Sequence, residues 1–146
     1  MLVSDTLTNA IVFSLTSSEP LYAIELGWIR EVFTLSHVTP VPHAPPAIAG
    51  VVNFSGSILS IIDLRTLDGH PARATQGESA LLVEVDRCQA ALRVGTIDEV
   101  SSLARAPRTH CLYDSRHRKV TLLDPSELFR IAKQARSPIA PVSNEE

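Results

Sequence analysis

Apolar and polar positions in this chain fall into short runs of four to seven residues, each closed by Gly, Ser, Asp or Pro, and the pattern predicts paired strands. Residues 10–16 (AIVFSLT) and 21–26 (LYAIEL) flank Ser17-Ser18-Glu19-Pro20 as a first hairpin. Residues 49–54 and 58–64 flank Ser55-Gly56-Ser57 as a second, the hairpin the rest of the chain is organised around. Val51, Asn53 and Ser55 fall on one side of its first strand, Val52 and Phe54 on the other. Its second strand is apolar on both sides at Leu59, Ile61 and Ile62, as expected of a strand covered twice. Ser79–Val85 (SALLVEV) and Cys88–Val94 (CQAALRV), split by Asp86-Arg87, make a third hairpin. Residues 111–114 and 120–123 make a fourth, with the basic tip Arg116, His117, Arg118 and Lys119.

Helical spacing is rarer. Trp28, Ile29, Val32 and Phe33 lie one helical stripe apart, which predicts a short helical or irregular passage after Gly27, with Arg30 and Glu31 outside. That stripe suits either a helix packed on a barrel end or an exposed docking surface. Ile97 and Val100 repeat the i, i+3 spacing of Ile29 and Val32, a hint of pseudo-symmetry between two halves. One helical turn is expected at 64–67. Asp124-Pro125-Ser126-Glu127 carries an N-cap, a proline at the first helical position and a capping-box spacing, so a helix is expected to run from there to about residue 135. The turn-rich stretch 69–77 is a candidate join between subdomains, and 1–8 and 135–146 read as a loose lead-in and a disordered tail.

The length of 146 residues suits about one domain. Ten prolines favour strands and turns, and Pro40, Pro42, Pro45 and Pro46 force an extended approach to the central hairpin. A net charge of −3 supplies no basic field for nucleic acid. No apolar window reaches the roughly 20 residues a bilayer requires, and the start lacks the pattern of a secretory signal. A cytoplasmic location is the expectation. Cys88 and Cys111 lie in no C-x-x-C pair, and Cys88 is expected to pack as a small hydrophobe. The Asn53-Phe54-Ser55 glycosylation pattern then counts as chance.

The chemistry of an enzyme is hard to place. No phosphate-binding G-x-x-x-x-G-K, no G-x-G-x-x-G and no G-x-S-x-G elbow occurs. His37, His43, His70, His110 and His117 are scattered over loops, and His110-Cys111 with the distant Cys88 is a poor metal set. No catalytic, cofactor or metal residue is therefore nominated. Exposed aliphatic residues on a small β domain are sufficient equipment for binding another protein, and Ile29, Val32, Ile97 and Val100 are the anchor candidates. A rival from another class is an SH3-like barrel binding nucleic acid or a small ligand through Arg116, Arg118 and Lys119.

Several spaced motifs add to this reading. They are Ile29-Arg30-Glu31-Val32, Thr39-Pro40-Val41-Pro42-His43-Ala44-Pro45, Gly50-Val51-Val52-Asn53-Phe54-Ser55-Gly56 and Ile58-Leu59-Ser60-Ile61-Ile62-Asp63-Leu64-Arg65. In order and separation they resemble the CheW family of chemotaxis coupling proteins. The resemblance covers about residues 9–134. It implies a mostly β fold of two intertwined, five-stranded SH3-like β-barrels with short helices and a C-terminal helix, joined near 64–78. It also implies a non-catalytic adaptor between a chemoreceptor's cytoplasmic tip and the regulatory domain of a CheA-type histidine kinase, without cofactor. The family pattern places partner contacts at the positions of Ile29, Glu31, Val32, Asn53 and Ser55. It usually has Asn-Leu-Arg-Gly at the hairpin, where this chain has Asn53-Phe54-Ser55-Gly56. A serine in place of the family's arginine leaves room for a divergent adaptor in a non-flagellar pathway such as pilus motility.

Overall fold

The computed structural model describes residues 8–16, 20–105 and 111–133. Strands β1 (Thr8–Ser14) and β2 (Leu21–Glu25) open the chain, and β3 (Ile29–Thr34), β4 (Val38–Thr39), β5 (Ile48–Phe54) and β6 (Ser57–Asp63) follow. Then come β7 (Ser79–Val85), β8 (Cys88–Val94), β9 (Thr96–Arg105), β10 (Leu112–Tyr113), β11 (Lys119–Leu122) and the helix α1 (Pro125–Ala132). The two ends of the chain build a closed five-stranded barrel in the order β1-β2-β11-β10-β9. The middle builds a six-stranded sheet in the order β3-β7-β8-β6-β5-β4. This sheet curls round its own core: the Phe33 and Phe54 rings, on β3 and β5, meet at 4.5 Å between centroids. The expected mostly β architecture of two subdomains is present, with a curled six-stranded sheet in place of the second five-stranded barrel, and it is interlaced because one subdomain is inserted into the other.

Strand alternation sorts the apolar side chains into three layers. Ala10, Val12, Ala23, Leu103 and Val120 fill the closed barrel. Val52, Leu59, Ile61, Ala80, Leu82 and Ala91 fill the curled sheet. The intervening residues, Ile11, Phe13, Ile24, Ile62, Leu81, Val83 and Leu92 among them, form a shared core with Leu128, Phe129 and Ala132 of α1. Strands β1, β6, β7 and β8 are thus apolar on both sides, and the double coverage predicted at Leu59, Ile61 and Ile62 is observed.

The chain passes between the subdomains at residues 26–28 and at Gly95, while 64–78 links β6 to β7 inside the second sheet. At Gly95 the backbones nearly touch. Its N–H donates to the Ser14 carbonyl at 2.8 Å, and a Cβ there would stand 2.5 Å from the Leu15 oxygen. Beside this crossing Arg93, 7% exposed, donates to the Leu15 carbonyl at 2.9 Å and to Glu78 at 2.8 Å. An arginine of the second sheet therefore ties down the end of β1.

Local chemistry explains the turns. Ser55 and Gly56 have φ of 50° and 87°, and Asp86 and Arg87 have 49° and 69°, the two-residue turns whose twist matches paired strands. Asn53 Oδ1 accepts from the Gly56 N–H at 3.2 Å and braces the first turn. Gly50 serves a bulge in β5, with φ 151° and the Thr39 carbonyl 2.7 Å from where a Cβ would lie. After β6, Asp63 caps a 3-10 turn, Leu64–Asp68, so the predicted helical turn is present in tighter form. Asp124 caps α1 by accepting from Ser126 N at 2.9 Å, but Glu127 pairs with Arg130, so the capping box is not completed. The helix ends at Ala132, short of the expected 135.

Two expectations need correction. Residues 29–34 form a strand, and only Leu26–Trp28 make a 3-10 turn. Cys88 is exposed, because it starts a strand beside a tight turn and its neighbours Ala90 and Leu92 occupy the core. The expected lead-in (bar Thr8), most of the Ser17–Pro20 turn, His110 and the expected tail lie outside the described residues.

Candidate partner-binding site

Two bulged strands position the aliphatic candidates. In β3, Ile29 pairs with Val83 while Glu31 pairs with Leu82, so Arg30 is the extra residue. The bulge puts Ile29 and Val32, three residues apart, on one side, aligned with Val83 and Leu81 of the shared core. In β9 the same device recurs. Ile97 pairs with Phe13 and Glu99 with Val12, so Asp98 is the extra residue, and Ile97 and Val100 align with Phe13 and Ile11. Each pair has one member packed on the shared core, Ile29 or Ile97, and one in water, Val32 at 46% or Val100 at 60% exposure. The sequence hint of pseudo-symmetry has this physical origin. The four anchors decorate two margins of a single inter-barrel core.

Both extra residues carry charge and are paired. Arg30 reaches Glu84 at 3.4 Å across the strand pair. Asp98 accepts from Arg118, which also donates to Asp114 at 2.8 Å and stands 4.0 Å from Glu99. Arg116 donates to Glu99 at 3.1 Å. Donation to Asp98, and then to Asp114, raises the Arg118 pKa above its ordinary value. Burial pushes the Asp114 carboxyl up, but donation by the Arg118 and Arg116 backbone and the Arg118 guanidinium outweighs it and holds the group below the usual carboxylate range. Asp98, Glu99 and Asp114 offer oxygens within 4.8 Å of one another, as a cation site would, yet Arg118 already supplies the positive charge among them. The basic hairpin tip is correspondingly folded onto β9, with two of its arginines committed to carboxylates.

The hairpin candidates occupy a different place. Asn53 is exposed at the end of β5 and Ser55 forms the turn. Beside them Ile58 is 66% exposed, the most exposed large apolar side chain described. Glu31 and Phe33 share the inner side of β3, since they pair with Leu82 and Ala80. The Phe33–Phe54 ring contact links β3, which carries Glu31, to β5, which carries Asn53. Ile29 and Ile97 thus pack on the shared core with Val32 and Val100 exposed beside them, whereas Glu31 lies exposed on β3 and Asn53 and Ser55 lie exposed at the β5–β6 turn.

Sequence reasoning missed the exposure of Ile58 and missed the role of Asp63 and Arg65. The Asp63 side chain is fully buried and accepts from Arg65 N at 3.1 Å, Arg65 Nε at 3.1 Å, Arg65 Nη2 at 2.8 Å and Arg73 N at 2.9 Å. Burial alone would raise its pKa, but the bonds from Arg65 and Arg73 lower it below the ordinary value. An aspartate ending a doubly apolar strand, two residues before an arginine, was the available signal. Its chemistry is structural: the pair clamps the 3-10 turn to the 71–74 loop.

The fold and this surface define a class, a two-barrel module with exposed aliphatic margins. A profile of the CheW-like domain matches residues 9–110, and the chain belongs to that family. Among curated relatives it is 29% identical over 80 residues to a probable chemotaxis protein CheW of Rhizobium etli, covering 54% of this chain and 52% of that protein. It is 33% identical over 64 residues to the chemotaxis protein CheW of Treponema pallidum, covering 44% and 36%. The matched region thus spans about half, or less, of each curated relative. The crystal structure of the scaffolding protein TtCheW from Thermoanaerobacter tengcongensis superposes with a TM-score of 0.68 at 22% identity, covering 88% of this chain and 96% of that one, a likeness of fold. No helix among the described residues is long and apolar enough to cross a membrane.

Proposed function

We propose that this protein is a non-catalytic adaptor of a chemosensory complex, joining the cytoplasmic tip of a chemoreceptor to the regulatory domain of a CheA-type histidine kinase. The observation that carries the reading is the duplicated bulge, which leaves Val32 and Val100 exposed beside a rigid core in a member of the CheW-like family. Two separate apolar margins give one small domain two places to bind. A standard interface covers roughly 800 Å² per partner and draws its energy from a few central anchors, which such margins supply.

The test is affinity measured for Val32→Glu and Val100→Glu against a receptor tip and a kinase regulatory domain. Each exposed valine is expected to leave stability within about 0.5 kcal/mol. Each is expected to weaken binding of one partner at least about tenfold, a loss of roughly 1.4 kcal/mol. Full affinity for both partners in both variants would refute the assignment. In the same assay Ser55→Arg restores the family's usual residue. Tighter binding would favour a divergent adaptor whose contact at 55 has been lost, and no change would place position 55 outside both interfaces.

A further inference from the structure

The shared core is not sealed where α1 ends. Between the helix and the outer side of β5, β6 and β8 lies a groove of about 130 Å³ floored by Ile48, Ile62 and Phe129 and rimmed by Ser60, Cys88 and Lys133. It is separate from the two bulged margins. Lys133, which caps α1, lines the groove itself, so the chain that follows starts at its lip. That chain is the thirteen residues from 134 to 146, QARSPIAPVSNEE, with Ile139 and Val142 as its large apolar side chains and two glutamates at its end.

We propose that this C-terminal segment is the groove's occupant, seating Ile139 and Val142 against Ile48, Ile62 and Phe129. Ile139 lies six residues beyond Lys133, and an extended chain of that length reaches up to roughly 20 Å. Pro138 and Pro141 favour that extended form, which suits a peptide laid along a sheet face. The terminal Glu145 and Glu146 are complementary to Lys133 on the rim and to Arg87 on the adjoining β7–β8 turn, which has no ion pair among the described residues. The groove supplies apolar surface that residues 134–146, mostly small and polar, lack by themselves. This inference concerns a face not used by the proposed partner contacts, and it stands or falls separately from them.

Cys88 on the rim is a native reporter. Alkylation of the full-length chain by iodoacetamide, read at Cys88 by peptide mass spectrometry so that Cys111 is followed separately, is compared with the full-length double variant Ile139→Asp/Val142→Asp. A segment seated about three quarters of the time shields the thiol, so the variant is expected to react about fourfold faster. Ser60→Arg, placed in the groove at an exposed position, is expected to speed trypsin cleavage after Arg136 by a similar factor. Unchanged rates in both comparisons overturn the proposal. Protection of Cys88 that grows with protein concentration overturns it too, because it would assign the groove to a second copy of the chain.

Discussion

Replacing Asp63 by asparagine is the perturbation whose consequence the structure fixes best. The substitution keeps the shape of the side chain and removes its charge. One oxygen becomes an N–H donor facing the donors of Arg65 and Arg73, which now approach at 2.8 to 3.1 Å. Breaking a buried ion pair costs about 3–5 kcal/mol, and Arg65 keeps 23% of its side chain in water, so the low end, about 3 kcal/mol, is expected. For a chain of this size that is a fall of roughly 6–12 °C in Tm. Urea melts across pH give the sharper check. Because the folded pKa of Asp63 is depressed, its contribution is complete above the unfolded value of about 3.9 and is lost as pH falls through the folded value. The wild-type advantage over Asp63→Asn should therefore be full at neutral pH and shrink progressively below about pH 4. A cost under about 1 kcal/mol, or a gap independent of pH, would show that the clasp does not hold the 3-10 turn to its loop.

Other outcomes follow from the same geometry. Gly95→Ala pushes a methyl into the Leu15 backbone, 2.5 Å away, and should destabilise by at least about 2 kcal/mol in urea, whereas Gly27→Ala, with nothing within 4 Å of its Cβ, should stay within about 0.5 kcal/mol. Arg118→Met leaves Asp98, Glu99 and Asp114 facing one another. The Asp114 carboxyl, held low in part by that guanidinium, then moves up, so the variant should lose about 1–2 kcal/mol at pH 7 and regain part of it near pH 4 in thermal melts. A pH-independent loss would mean that Arg118 acts through packing alone.

The hairpins were legible because short apolar runs closed by turn residues act locally. The β7–β8 pair, Ser79–Val85 and Cys88–Val94, appears at the predicted residues, and the hairpin of β5 and β6 within one residue. The N-cap of α1 was legible for the same reason, since Asp124 and Pro125 act locally. The misreading at 29–34 has a cause that recurs in β9. A bulge adds a residue to one strand, so apolar side chains on one face stand three apart, as they would on a helix. Spacing alone cannot distinguish the two, because the register is set by β7 and β1, distant in sequence. The shared side of Ile29 with Val32, and of Ile97 with Val100, was legible all the same, since the pattern records which residues face together. Ile58 was missed because a strand buried on both sides hides which end protrudes at its tip. The interlacing of the barrels was equally hidden, as it depends on the crossings at residues 26–28 and at Gly95.

The central claim is that one small domain binds two proteins at once through separate apolar margins. Analytical ultracentrifugation of the chain with a receptor cytoplasmic fragment and a CheA-type regulatory domain, alone and together, tests this most directly. The account predicts a complex containing all three species, with neither partner displacing the other. Binding of neither partner, or strict competition between them for the chain, would contradict it.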